Sequence, residues 1–254
     1  MKMRTRVLSI VMAVTLLTGC AEALKVLEDA SSAPLTEQEV AEGLKQALTT
    51  GARNAAEELS ARDGYYGDAV LRIALPEEAG MIVDNISRIP GGERLVEDVV
   101  IRINRAAEDA AREAAPVFVS AITEMTIADA WGILRGEEDA ATEYLRRTTG
   151  EELYALYQPR IAASTSREIV GDISTKDSWE SLTGSWNRLA DSAGGRLAGL
   201  GSVDTDLDDF LTRKALDGLF LKIAEQEHRI RTDASARVTP LLRKVFGSAD
   251  AGEE

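Results

Sequence analysis

The run from Val99 to Gly136 constrains this chain most, because it is the longest stretch in which helix-forming residues place apolar side chains at helical spacing. Leading into and through it, Leu95, Val96, Val99, Ile103, Ala106, Ala107, Ala110 and Ala114 recur with one period. A stripe that is mostly alanine lets a neighbouring helix come in toward the short end of the roughly 8 to 10 Å interaxial range. Pro116 has no amide proton and clashes with the chain one turn back, so it kinks or restarts the helix. Val117, Phe118, Ala121, Ile122 and Met125 then continue the apolar face, and Thr126 to Asp129 caps a further short helix that Gly136 ends. The stretch therefore predicts two or three helices, with the rest of the chain packed against them.

Similar signals flank it. Thr36-Glu37-Gln38-Glu39 is a capping box, followed by one stripe of Val40, Leu44, Ala47, Leu48, Gly51, Ala55 and Leu59 and a stop at Asp63-Gly64. Tyr65 to Leu75 carries few helix signals, and its β-prone part, Val70 to Leu75, has no partner strand, so it reads as a buried extended connector. Leu75-Pro76-Glu77-Glu78 begins a helix that runs to about Ile89 and ends at Pro90-Gly91-Gly92. Glu137 to Asp139 favours a start through Leu145, and Thr149-Gly150-Glu151-Glu152 reads as a new capping box, opening a helix with Leu153, Leu156, Tyr157 and, past a kink at Pro159, Ile161.

Trp179, Leu182, Trp186 and Leu189 place a helix inside a glycine- and serine-rich stretch, of which Asp191 to Ser202 reads as a mobile surface loop. Leu207 to Ile230 is the last long helix, and Leu241, Leu242, Val245 and Phe246 pack in a final turn closed by Gly247. The fold class is all-α: a single multi-helix bundle of about eight helices with one extended connector.

The N-terminus reads as a leader. Lys2, Arg4 and Arg6 precede an apolar run, Val7 to Leu17, that is too short to span a roughly 30 Å hydrocarbon core. Leu17-Thr18-Gly19-Cys20 resembles the lipobox of bacterial lipoproteins, and Cys20 is the chain's one cysteine, so no intramolecular disulfide competes for it. The organisation expected is a signal peptide over 1–19, a lipidated tether over 20–35, a helical domain over 36–247 and a polar tail over 248–254. Acylation of Cys20 implies a permanent lipid anchor in the cell envelope, and Ala21, where aspartate would retain the protein, points to the outer membrane facing the periplasm. The formal net charge is −14, three units more negative once the leader's basic residues are gone, which argues against nucleic acid as a partner.

Motifs for chemistry are sparse. His228 is the one histidine, and no glycine-rich phosphate loop or nucleophile elbow occurs, so no catalytic residue, metal site or cofactor is assigned. Asp204, Asp206, Asp208 and Asp209 start like a calcium loop, but Asp209 stands where it needs glycine and Ala215 where it needs glutamate; the acidic start of a helix is the simpler reading. Asn104, Arg105 and Glu108 form the polar edge of an otherwise alanine-lined helix. Either that face is solvated, or Asn104 and Glu108 reach into a polar cavity with Asp129 or Asp217.

Several local patterns together resemble the bacterial envelope family called domain of unknown function 4197. They are Leu75-Pro76, Asn104 to Glu108, Met125-Thr126 with Asp129-Ala130 and Ile133-Leu134, Gly136, Ala140 to Thr142 with Tyr144, Lys214 to Phe220, and Val245 to Gly247. The resemblance covers about Leu35 to Gly247 and implies a helical domain behind a signal or lipobox, with no activity to transfer. The glycine-rich insert near Gly194 to Gly201, and Trp131, depart from the pattern. Three readings follow: a non-enzymatic binding or structural module with a protein partner in the envelope; a carrier of a small apolar ligand; and a carboxylate-based metal-dependent hydrolase using Glu108, Asp129 or Asp217. A solid core with an exposed apolar patch distinguishes the first.

Overall fold

Four-residue spacing of buried side chains organises the molecule, and it lies downstream of the stretch that dominates the sequence. In the computed structural model, Ala141, Leu145, Thr149, Leu153, Tyr157, Ile161 and Thr165 are all buried on one helix, Ala140–Thr165. Because each residue turns an α-helix by about 100°, a step of four advances the stripe by about 40° around the axis, so it winds and meets different neighbours along its length.

The structure describes residues 36–76, 80, 91–170, 173–197, 199–202, 206–237 and 239–250. The chain divides into two units, Met1–Glu39 and Val40–Glu254. The expected leader, Cys20, the tether, the helix from Glu77 to Ile89 apart from Gly80, which is helical, and the last four residues of the tail lie outside the described residues.

In the first unit, the Thr36 hydroxyl accepts from Glu39 N–H at 3.2 Å while Glu39 accepts from Thr36 N–H at 2.8 Å, the reciprocal pair of a capping box. It opens α1 (Glu37–Ser60), whose residues Val40, Leu44, Ala47, Leu48, Ala55 and Leu59 are buried as their spacing predicts. α1 ends just before Asp63 turns left-handed at φ 68°, and the next element whose bounds are described begins at Gly92. α2 (Gly92–Ala111) gives way to α3 (Ala114–Glu124) four residues before Pro116 can make its clash, at Arg112 and Glu113. At Thr126 the chain turns hard: α4 (Ile127–Leu134) lies at 107° to the preceding run, opened by a complete Thr126–Asp129 capping box.

α5 (Ala140–Thr165) corrects the sequence reading in where a helix starts and in which element is the hub. Thr149 opens no helix; its hydroxyl is buried and donates to Leu145 O at 2.7 Å, a bond available only inside a helix that continues. Pro159 sits within α5 without ending it, exposed on the outer face. α5 packs along α8 (Leu207–Thr232) and α2, and also meets α3 and α4, so it rather than Val99 to Gly136 is the hub. Between α5 and α8 lie a short antiparallel pair, β1 (Glu168–Val170) with β2 (Ile173–Ser174), then α6 (Thr175–Ala190) and α7 (Ala193–Leu197), so the expected loop holds a turn of helix. A 3₁₀ turn (Ala234–Ala236) and α9 (Pro240–Asp250) complete the bundle. No single helix among the described residues is long and apolar enough to cross a membrane.

Candidate functional site

The polar edge singled out on α2 is buried: Asn104 is 0 % exposed and Glu108 4 %. A buried amide must satisfy its donors and acceptor locally, and Asn104 does so on the connector. Its Oδ1 accepts from Ile73 N–H at 2.9 Å, and its Nδ2 donates to Ile73 O at 2.8 Å and to Val100 O at 2.8 Å. One side chain thus makes both bonds that a neighbouring β-strand residue would make. The expected buried extended run from Val70 begins later than its composition suggests: Asp68 to Leu71 is a turn, closed by Arg72 N–H on Asp68 O at 2.9 Å, and beyond it Ile73 is buried between exposed Arg72 and Ala74.

Glu108 secures the start of the same segment. Its Oε1 accepts from Tyr65 N–H at 3.3 Å and Tyr66 N–H at 3.4 Å, and its Oε2 meets the Arg105 guanidinium, which also grips Asp63 at the left-handed turn. Hydrogen bonds to Asp63 and Glu108 raise the Arg105 pKa, so the guanidinium stays charged at any ordinary pH. Tyr65 is fully buried and donates to Ala215 O at 2.9 Å; burial pushes its pKa well up, so the donor is permanent. Its ring demands glycine opposite, since a Cβ on Gly218 would lie 2.9 Å from Tyr65 Cε1. Asn104, Arg105 and Glu108 therefore act together, and what they hold is backbone.

The other two candidates lie apart from them. Asp129 is the partner of Thr126, whose hydroxyl and backbone N–H hold its carboxyl below the usual aspartate range. Asp217 is on the exposed face of α8, 3.6 Å from Arg146, and lines a groove of about 520 Å³ between the connector and α8. Val70, Leu75, Phe210 and Leu221 supply its apolar walls, Lys214 its ammonium, and Gly218 part of its floor. Val70 is 76 % exposed and Leu221 39 %. The segment that the clamp holds is also the one that lines the groove.

Sequence reading missed two buried carboxylates on α8. Glu227 accepts from Ala141 N–H, Thr142 N–H and the Thr142 hydroxyl at 2.8 to 3.0 Å, capping α5 from another helix, with Arg231 beside it at 2.8 Å. Asp208 takes the Thr165 hydroxyl at the other end of α5 and the Lys176 ammonium at 2.7 Å. Its neighbours follow the helix-start reading: Asp206 caps α8 through Asp209 N–H, and Asp209 pairs with Arg213. Among the described residues no group of three His, Cys, Asp or Glu side chains is placed to hold a metal ion. A small pocket lined by Leu44, Leu48, Ile133, Ala141, Ile230 and Phe246 measures about 10 Å³, room for one water.

Over residues 34–247 the chain matches the family described as protein of unknown function (DUF4197). It belongs to that family. No curated protein matches the chain, and no solved structure does. Within this DUF4197 chain the matched region contains the clamp, the groove and both α8 carboxylates.

Proposed function

We propose that this DUF4197 protein is a lipid-anchored protein of the bacterial cell envelope, held by Cys20 in the outer membrane and facing the periplasm, and that it works as a non-enzymatic binding module. The anchor reading is supported by the leader, with Lys2, Arg4 and Arg6 ahead of an apolar run and Leu17-Thr18-Gly19-Cys20 after it. The binding reading is carried by one observation: Val70 and Leu221 stand exposed across a groove whose connector wall is fixed from below by buried hydrogen bonds. Exposed apolar side chains on a fixed concave surface favour a partner that removes them from water. The partner is another protein of the envelope.

Two experiments test the two parts. Cys20→Ser releases the protein from the membrane fraction; unchanged association removes the anchor. A photo-crosslinking residue at Val70 in intact envelopes gives a discrete adduct that Leu221→Asp abolishes. An adduct pattern indifferent to Leu221→Asp removes the groove as the binding face.

A further inference from the structure

We infer that the groove takes an extended polypeptide segment of another protein, paired to the connector as an added strand through Ala74 and carrying a carboxylate toward Lys214. This rests on the docking reading above and specifies its mode.

Three observations converge. An extended chain has two edges, and the N–H and C=O of successive residues point to opposite ones. Asn104 occupies the inner edge at Ile73, standing in for one strand. The other edge belongs to Ala74, which is exposed, and among the described residues no hydrogen bond reaches its N–H or its C=O. An exposed strand edge of this kind is a template for main-chain pairing.

The groove beside that edge is walled by Val70, Leu75, Phe210 and Leu221, which suits side chains projecting from every second residue of an extended guest. Its charges decide the sign of the partner. Asp217 faces Arg146 at 3.6 Å, and Arg72 is paired with Glu97 at 2.9 Å. Lys214 lies over the Phe210 ring at 5.8 Å and has no carboxylate within ion-pair distance among the described residues. Among the described residues the groove therefore presents one ammonium, Lys214, with no carboxylate at ion-pair distance, in a chain of net charge −14, and a carboxylate on the guest complements it.

The test uses the full chain and a fluorescent, acetylated and amidated hexapeptide that alternates valine with threonine and carries one glutamate in place of a threonine. Two isomers bear N-methyl groups on the amides of one edge or of the other, and a third peptide replaces glutamate by lysine. The expected result is saturable binding that one N-methyl isomer loses by at least about tenfold while the other keeps it, since only one edge can pair. The lysine peptide binds about tenfold more weakly, and Lys214→Glu, an exposed substitution, reverses the preference between the two charges. Equal binding of both N-methyl isomers, a charge preference unchanged by Lys214→Glu, or no saturable binding of any peptide overturns the inference. Should that happen while the Val70 adduct persists and still depends on Leu221, the docking reading stands and only the extended pairing fails. Loss of the Val70 adduct as well ends both.

Discussion

Two buried glutamates, Glu227 on α8 and Glu108 on α2, do the same work on different substrates. Each accepts two consecutive backbone N–H groups from a distant part of the chain, and each has an arginine on its own helix, Arg231 or Arg105, to compensate its charge. Glu227 holds the first turn of a long helix, where free N–H groups converge and the dipole favours an anion; its bonds are 2.8 to 3.0 Å. Glu108 holds Tyr65 and Tyr66 inside one short turn, closed by Gly67 N–H on Asp63 O at 2.8 Å, with no long helix and its dipole behind the donors, and its bonds are 3.3 and 3.4 Å. The lesson is that the same anchor is tighter on regular backbone. The connector needs the second clamp, Asn104, to be fixed, and it is the connector that walls the groove.

The sharpest way to break this comparison is to remove both anchors in turn. Glu227→Ala leaves Arg231 without its carboxylate, with only Ile133 O as acceptor, frees two helix N–H groups, and costs about 3 to 5 kcal/mol of unfolding free energy, read by urea denaturation. Glu108→Ala, with longer bonds and Arg105 still held by Asp63, costs about 2 kcal/mol. An equal or reversed order contradicts the comparison. Asn104→Ala leaves both Ile73 groups without partners and costs about 2 kcal/mol. Hydrogen exchange at the Ile73 amide should accelerate with little change in α5, whereas Glu227→Ala should loosen the first turn of α5 instead.

Smaller effects sharpen it. Tyr65→Phe removes the donor to Ala215 and costs about 1 kcal/mol by thermal melting. Thr126→Ala, at a true cap, costs about 1 kcal/mol, while Thr149→Ser, which retains the internal hydroxyl, keeps the bond to Leu145 and loses only a methyl group; equal effects would restore a helix start at Thr149. The cap also has a pH signature. Thr126 depresses the Asp129 pKa below its ordinary 3.8, so the stabilisation is present above that value and is lost as pH falls through the lower folded-state value. The difference in melting temperature between the wild type and Thr126→Ala should shrink on acidification below about pH 4.

What was legible in the sequence was local. The Thr36 and Thr126 capping boxes, the α1 stripe, the break ahead of Pro116 and the acidic start of α8 each depend on residues within a few positions of one another. Thr149-Gly150-Glu151-Glu152 has the composition of a capping box too. It is overruled because packing buries Thr149 in α5, and a threonine inside a helix can satisfy its hydroxyl on the carbonyl one turn back. The hub was illegible for a related reason: three threonines, Thr142, Thr149 and Thr165, are among its buried positions, so apolar periodicity fades where packing is greatest. Glu227 gives no local sign of being buried, since its backbone partners lie 85 and 86 residues away. Asn104 and Glu108 stood out as polar residues in an alanine stripe. Their sequence reading is a solvated face or a cavity with Asp129 or Asp217; burial rules out the first, and their partners are backbone groups of the connector, which no side-chain pattern announces.

The winding stripe on α5 has a consequence for how the chain tolerates changes of length. Deleting one residue near Leu153 would turn every later position by about 100°, swinging Tyr157, Ile161 and Thr165 out of register with α8 and detaching Asp208 from its hydroxyl. Duplicating four residues there would turn them by only about 40° but push them about 6 Å along the axis, so the stripe would keep facing its neighbours while Thr165 still lost Asp208. Facing is kept in steps of four, and the contacts at the far end of the helix fix its length.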